Sequence, residues 1–390
     1  MKKAISLVLM LLLLLSLSAA LADEDLMLVR TGGSFTYARM ADGTVWAWGD
    51  GGRGQLGSEK MAYVFINVPG AVGLDGKHIA DIQCANASAY FLMDDGTVYA
   101  TGFNDYGQLG VPGLGDMSGK PVKIPNLKNI TRVACGFGQC LALDQDGHVW
   151  VWGRNGNGQL GNGATLNKTV PFMLDLEDIV DVQCGGAFSM ALAANGDIWG
   201  WGDNEFYQLG AVSRGVDVFT PTKLPMSGQF VKIGCGGDVS FGIDADGTLW
   251  AWGRNDYYQM GTDACGSVSK VPIRVALPEG TKVEKIIAYN SHAACITTEG
   301  EYWLWGSSSY CQLGRNVSGG KDLPKRMFAD HKVLDGGVSS LHTAVLLDDG
   351  TIWSCGSNYY GQLGFFYVQD SHIAEWKQAK VNLLTCVREK

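Results

Sequence analysis

The chain has 390 residues, 39 acidic against 30 basic side chains for a formal charge of −9, and 54 glycines. A net acidic surface repels phosphate backbones, which excludes nucleic acid as a natural partner. Past the first twenty-odd residues no apolar run is long enough to span a bilayer.

Lys2 and Lys3 precede an apolar run from Ala4 to Leu17, and Ala20-Leu21-Ala22 leads into Asp23-Glu24-Asp25. This is the layout of a secretory signal peptide over residues 1–22, cleaved after Ala22. The alternative is a retained anchor, since Ala4 to Ala22 nearly matches a bilayer span. Cleavage predicts a mature chain of residues 23–390, without membrane insertion, located outside the cell or at its surface.

The rest of the chain repeats. A turn pair recurs as Asp42-Gly43, Asp95-Gly96, Asp146-Gly147, Asn195-Gly196, Asp246-Gly247, Glu299-Gly300 and Asp349-Gly350, with steps of 53, 51, 49, 51, 53 and 50 residues. A period near fifty marks a solenoid or propeller. Each unit opens on a short apolar run ending in Cys or Gly, such as Val182-Gln183-Cys184-Gly185. A second run, the hairpin turn and a Trp-x-Trp-Gly strand follow, with Tyr99 and Cys355 as departures in the second and seventh copies. Residues two apart share a strand face, so the paired indoles are expected to fill the space between neighbouring sheets. A Gln-Leu-Gly or Gln-Met-Gly loop comes next, then a Pro-marked or basic strand suited to a sheet edge. Four strands per fifty residues make one propeller blade. The reading is all-β: a seven-bladed propeller of four-stranded antiparallel blades over residues 23–390. The N- and C-terminal segments are expected to pair in one sheet and close the ring.

Trp152-Gly153-Arg154-Asn155-Gly156-Asn157-Gly158-Gln159-Leu160-Gly161, together with His342-Thr343-Ala344 in the last copy, resembles the repeat of the regulator of chromosome condensation (RCC1) family. The resemblance covers roughly residues 26–386 and implies a seven-bladed propeller, in agreement with the independent count of seven turns.

Of ten cysteines, Cys84, Cys135, Cys184 and Cys235 share one repeat position and read as free thiols packed near the axis. Cys265 and Cys311 fall on the same face of neighbouring blades and form a candidate disulfide; Cys140, Cys295, Cys355 and Cys386 have no assigned pairing. The six histidines show no metal-ligand spacing, and His292 and His342 share a position suited to a packed imidazole bonded to backbone. No nucleophile elbow, phosphate loop or calcium loop occurs. The expectation is therefore no cofactor, no metal and no catalytic residue.

Propellers act through loops on their faces and through the axial opening. The loops before Gln-Leu-Gly carry aromatics among Asn, Asp and Ser, a composition typical of protein-recognition surfaces. Phe206, Tyr207, Tyr257, Tyr258 and Tyr360 are the expected exposed contacts, with Phe365, Phe366, Tyr367 and Trp376 after the last loop. Tyr106, Tyr310 and Tyr359 read as loop packing. The leading expectation is a secreted, monomeric, non-enzymatic scaffold that binds another protein. Alternatives are a secreted inhibitor of a beta-lactamase or related enzyme, a guanine-nucleotide exchange factor by family resemblance, and a glycan-binding or hydrolytic protein using the axial opening.

Overall fold

The computed structural model describes residues 27–41, 43–58, 66–68, 78–212, 215–226, 229–365, 372–382 and 387–388. The described strands form seven antiparallel sheets, each made from one sequence repeat with its strands in chain order from the axis outward. Blade 3 is typical: Ile130–Cys135, Gln139–Asp144, Val149–Gly153 and Lys168–Met173. Its second strand reads Gln-Cys-Leu-Ala-Leu-Asp with all but the last residue buried. Such a strand cannot alternate polar and apolar, because a neighbouring blade covers each of its faces. The hairpin glycines sit at φ values from 71° to 86°, which an L side chain rarely adopts. Outer strands carry Pro121, Pro171, Pro221, Pro272 and Pro324, which deny a free N–H to any strand that might add to the edge.

The second Trp of each Trp-x-Trp pair is the staple between blades. Trp48, Trp152, Trp201, Trp252 and Trp305 are fully buried. Each donates its indole N–H across the interface to the carbonyl of the loop Gln in the preceding blade: Gln362, Gln108, Gln159, Gln208 and Gln259, at 2.8–3.0 Å. Where the pattern lapses the contact is replaced. Thr101 donates to the Gly54 carbonyl at 2.9 Å, and Cys355 lies 3.4 Å from the Gln312 carbonyl. The volume that a Trp at 355 would fill is taken by Trp376 of the outer strand His372–Asn382, whose indole lies against Gly314 as Trp48 lies against Gly364. Trp376 is thus half-buried packing rather than an exposed contact.

The expected closure by strand pairing is not what the described residues show. Leu28–Thr31 pairs with Phe35–Arg39 in blade 1, and His372–Asn382 pairs with Thr351–Ser357 in blade 7. The repeat phase explains this: the first repeat opens on its own innermost strand and the last ends on its own outer strand, so neither blade lacks a member. Closure is made by side chains instead. The Asp335 carboxylate accepts the Val29 N–H at 3.1 Å and the Arg30 guanidinium, Trp48 reaches the Gln362 carbonyl, and His342 meets the Thr36 hydroxyl at 2.9 Å.

Candidate binding sites on the loop face and at the axis

The loops that follow each third strand lie on one face and are braced the same way. The loop Asn accepts the N–H five residues on, as from Leu109 to Asn104 at 2.9 Å and from Met260 to Asn255 at 3.1 Å. The loop Gln accepts the N–H two residues back in all seven blades, at 2.8–3.0 Å. These repeated residues therefore build the loop, and only the positions between them are free to vary for display.

One of those positions is left-handed. Gly54, Gly107, Gly158 and Gly361 occupy it at φ 74–78°, whereas blades 4, 5 and 6 place Tyr207, Tyr258 and Cys311 there at 57–62°. A side chain in this region costs on the order of 1 kcal/mol. The two tyrosines gain a compensating contact: Lys270 lies over the Tyr207 ring at 4.3 Å and Lys321 over Tyr258 at 4.4 Å, each lysine coming from the next blade. Phe206 is likewise covered by Arg254 at 4.4 Å.

These contacts reverse the expected division of the aromatics. Phe206, Tyr207 and Tyr258 are half-buried under cations, Tyr360 is half-buried against Tyr359, and Phe365 is buried with Leu363 and Ile373. Tyr257 is exposed as expected, at 40%, but its companions are Tyr310 at 43% and Tyr359 at 67%, both expected to be packing. Phe366 and Tyr367 lie outside the described residues. The Cys265–Cys311 bridge is not formed. Both thiols are free; Cys265 turns to Asn255 Nδ2 at 3.5 Å and Met260 Sδ at 4.0 Å, inside its own blade's loop.

At the axis the inner strands surround a cavity of about 640 Å³. Thr31, Cys84, Cys135, Cys184, Cys235, Ala288 and Val338 hold one register position in the seven inner strands, each opposite its own second strand. Burial raises the thiols of Cys84, Cys135, Cys184 and Cys235, which keeps them protonated and slow as nucleophiles at neutral pH. Phe137 of blade 3 and Tyr289 of blade 6 meet across the axis with ring centroids 5.2 Å apart, and floor the cavity on the loop face.

The opposite mouth is a ring of charge. Asp81, Arg132, Asp181, Lys232, Lys285 and Asp335 each stand three residues before the ring position just described. Asp81 takes Arg30 at 3.0 Å, Asp181 takes Arg132 at 2.6 Å, and Asp335 takes both Arg30 and Lys285. Burial pushes the Asp181 carboxyl up despite Arg132. At Asp335 burial is outweighed by Arg30 and Lys285, and its carboxyl lies below the usual range. The acids that a catalytic reading of the axial opening calls for are thus present, and each is held by a cation. No single repeat reveals this ring, because each contributes only one member to it. A charged residue at the third place before the Cys position in six of seven copies was the available signal.

His292 and His342 are buried as expected, but their imidazoles meet hydroxyls rather than backbone, each one in the next blade and for His342 also one in its own. His292 Nε2 lies 3.0 Å from Thr343 and His342 Nε2 2.9 Å from Thr36, while His342 Nδ1 lies 2.8 Å from Ser339. One grouping of potential metal ligands occurs among the described residues, Asp144, Asp146 and His148 at a hairpin. The Asp144 carboxylate is already engaged there by the N–H groups of Asp146 and His148, the His148 ring and the Trp150 indole, at 3.0–3.1 Å.

Together the stapled blades and the Asn/Gln-braced loops define a seven-bladed propeller of the RCC1 type. The chain belongs to that family: the RCC1-like domain matches residues 14–332 and the RCC1 repeat residues 336–362. Human E3 ubiquitin-protein ligase HERC2 is 30% identical over 359 residues, which is 88% of this chain but 7% of that protein. The Arabidopsis thaliana ultraviolet-B receptor UVR8 is 27% identical over 353 residues, 87% of this chain and 78% of the receptor. Among solved structures, human WBSCR16 superposes with a TM-score of 0.73 at 26% identity, covering 83% of this chain and 88% of that one. Yeast RCC1 (Prp20), solved bound to Kap60, superposes at 0.75 with 18% identity over 90% and 84%, a likeness of fold alone.

Proposed function

We propose that this protein is an exported, non-enzymatic scaffold that binds another protein through the loop face of blades 5 to 7. The observation that carries this reading is the arc of Tyr257, Tyr310 and Tyr359, held in solvent on successive braced loops. Rigid aromatics of this kind give large contact area at little entropic cost on binding. Export rests on the charged, apolar and small-residue layout of residues 1–22. Family members in protein complexes, such as yeast RCC1 with Kap60, agree with a scaffold role.

The test is capture of exported proteins from the source organism and its neighbours, using residues 23–390 as bait. The control is the Tyr257→Ala/Tyr310→Ala/Tyr359→Ala variant. The expected result is a partner held by the wild type and lost by at least tenfold with the variant, whose melting temperature is unchanged. Equal retention by both baits rejects the tyrosine arc as the contact.

A further inference from the structure

Blade 3 differs from the other six at one place beside the axis. Cys140 stands directly opposite Cys135 in the antiparallel ladder. The equivalent pairs elsewhere are Thr31 with Thr36, Cys84 with Ala89, Cys184 with Ser189, Cys235 with Ser240, Ala288 with Ala293 and Val338 with Thr343. No other two cysteines among the described strands face each other in this way. The Gly136 N–H donates to the Gln139 carbonyl at 2.9 Å, so the next pair along, Cys135 and Cys140, is a non-hydrogen-bonded one. Such pairs bring Cα atoms to about 4.5 Å, within the span that a disulfide bridges without backbone movement. In the structure both thiols are free, and the Cys140 thiol turns to the Gln108 carbonyl at 3.9 Å. Cys135 lines the axial cavity, and Cys140 is buried behind it.

We propose that Cys135 and Cys140 are a disulfide site, oxidised by exchange with a small disulfide that enters through the charged mouth of the axial cavity. With oxidised glutathione, the Cys135 thiolate attacks one sulfur, the glutathione S–S bond breaks and one glutathione thiolate leaves. Cys140, its proton lost to solvent, then attacks Cys135 Sγ and expels the glutathione bound there. Two protein thiols are oxidised and one glutathione disulfide becomes two thiols. The bridge closes the hairpin Gly136-Phe137-Gly138-Gln139, and so pins Phe137, half of the floor that shuts the cavity on the loop face. Because burial keeps the Cys135 thiol protonated, exchange in the folded ring is slow at neutral pH and quickens as the pH rises.

The experiment uses the whole chain, purified reduced and then equilibrated with oxidised glutathione at pH 8. The protein is unfolded in iodoacetamide, digested with trypsin and mapped by mass spectrometry. Cleavage after Arg132 and Arg154 puts both cysteines, and no others, on the peptide Val133–Arg154. The expected product is that peptide, unalkylated and two hydrogens lighter, while the Cys84 and Cys184 peptides carry the label. Recovery of Val133–Arg154 with two labels overturns the proposal. A second measurement uses Cys140→Ser, which places here the Ser that blades 4 and 5 carry, each bonded to a loop carbonyl at 2.7–2.9 Å. Reductant is expected to lower the melting temperature of the oxidised wild type and to leave Cys140→Ser unmoved; an equal drop in both also overturns it.

Discussion

The two buried imidazoles tie ring stability to pH in a way that can be worked through. Thr36 and Thr343 donate their hydroxyl protons to the Gln362 and Gln312 carbonyls at 3.0 and 2.8 Å. Each must therefore accept from the histidine it meets, which sets the Nε2–H form of His342 and His292. Burial lowers both groups to about 3, from an ordinary 6.5. Between these values the unfolded chain takes up a proton that the folded ring refuses, so stability is complete above pH 6.5 and falls as the pH drops toward 3. From pH 7.5 to pH 5 linkage gives a loss of about 2 kcal/mol per imidazole, or about 4 kcal/mol for the pair. Asp335, held below the usual carboxylate range, adds its loss only in more acidic solution, whereas Asp181 and Asp203, raised by burial, work in the opposite direction. The comparison that isolates the histidines is urea unfolding at pH 7.5 and pH 5 for wild type and for His292→Gln/His342→Gln. Gln139 holds the same place in blade 3 and donates to the Gly185 carbonyl at 2.9 Å, so the exchange suits the site. The double variant should lose most of the pH dependence. An undiminished fall in its unfolding free energy would refute the reasoning.

Two further outcomes follow from closure and from the loops. Asp335→Asn leaves Arg30 and Lys285 without their shared carboxylate, and should cost about 3–5 kcal/mol in denaturant unfolding. A change below about 1 kcal/mol would show that the blade 7 to blade 1 seam does not depend on that charge. Cys311→Gly relieves a left-handed side chain that has no covering lysine among the cation–π contacts, and should stabilise by up to about 1 kcal/mol. A lower melting temperature for that variant would show that the Cys311 side chain contributes more through packing than its backbone costs.

Much of the fold was legible because its causes sit within one repeat. The turn glycines require positive φ, and the Trp and Gln residues recur at fixed offsets, so seven turns meant seven blades. Which aromatics reach solvent was not legible from the loops alone. Phe206 and Tyr207 are covered by Arg254 and Lys270, 48 and 63 residues downstream in the next blade. Tyr310 and Tyr359 have no covering cation among the described contacts and stay exposed, the first beside His372 and the second against Tyr360. Cys140 looked unassigned until the register set it opposite Cys135, five residues earlier.

By itself the sequence determined the period, the strand order, the braced loops and the family, because turn chemistry and hydrophobic pattern act over short stretches of chain. Only the tertiary structure decided the ring of ion pairs at the axis, the plug of Phe137 on Tyr289, and a seam closed by Asp335, His342 and Trp48 instead of a shared sheet. Those depend on which side chains a closed ring brings face to face, and residues 306 apart, such as Val29 and Asp335, meet only when all seven blades are in place.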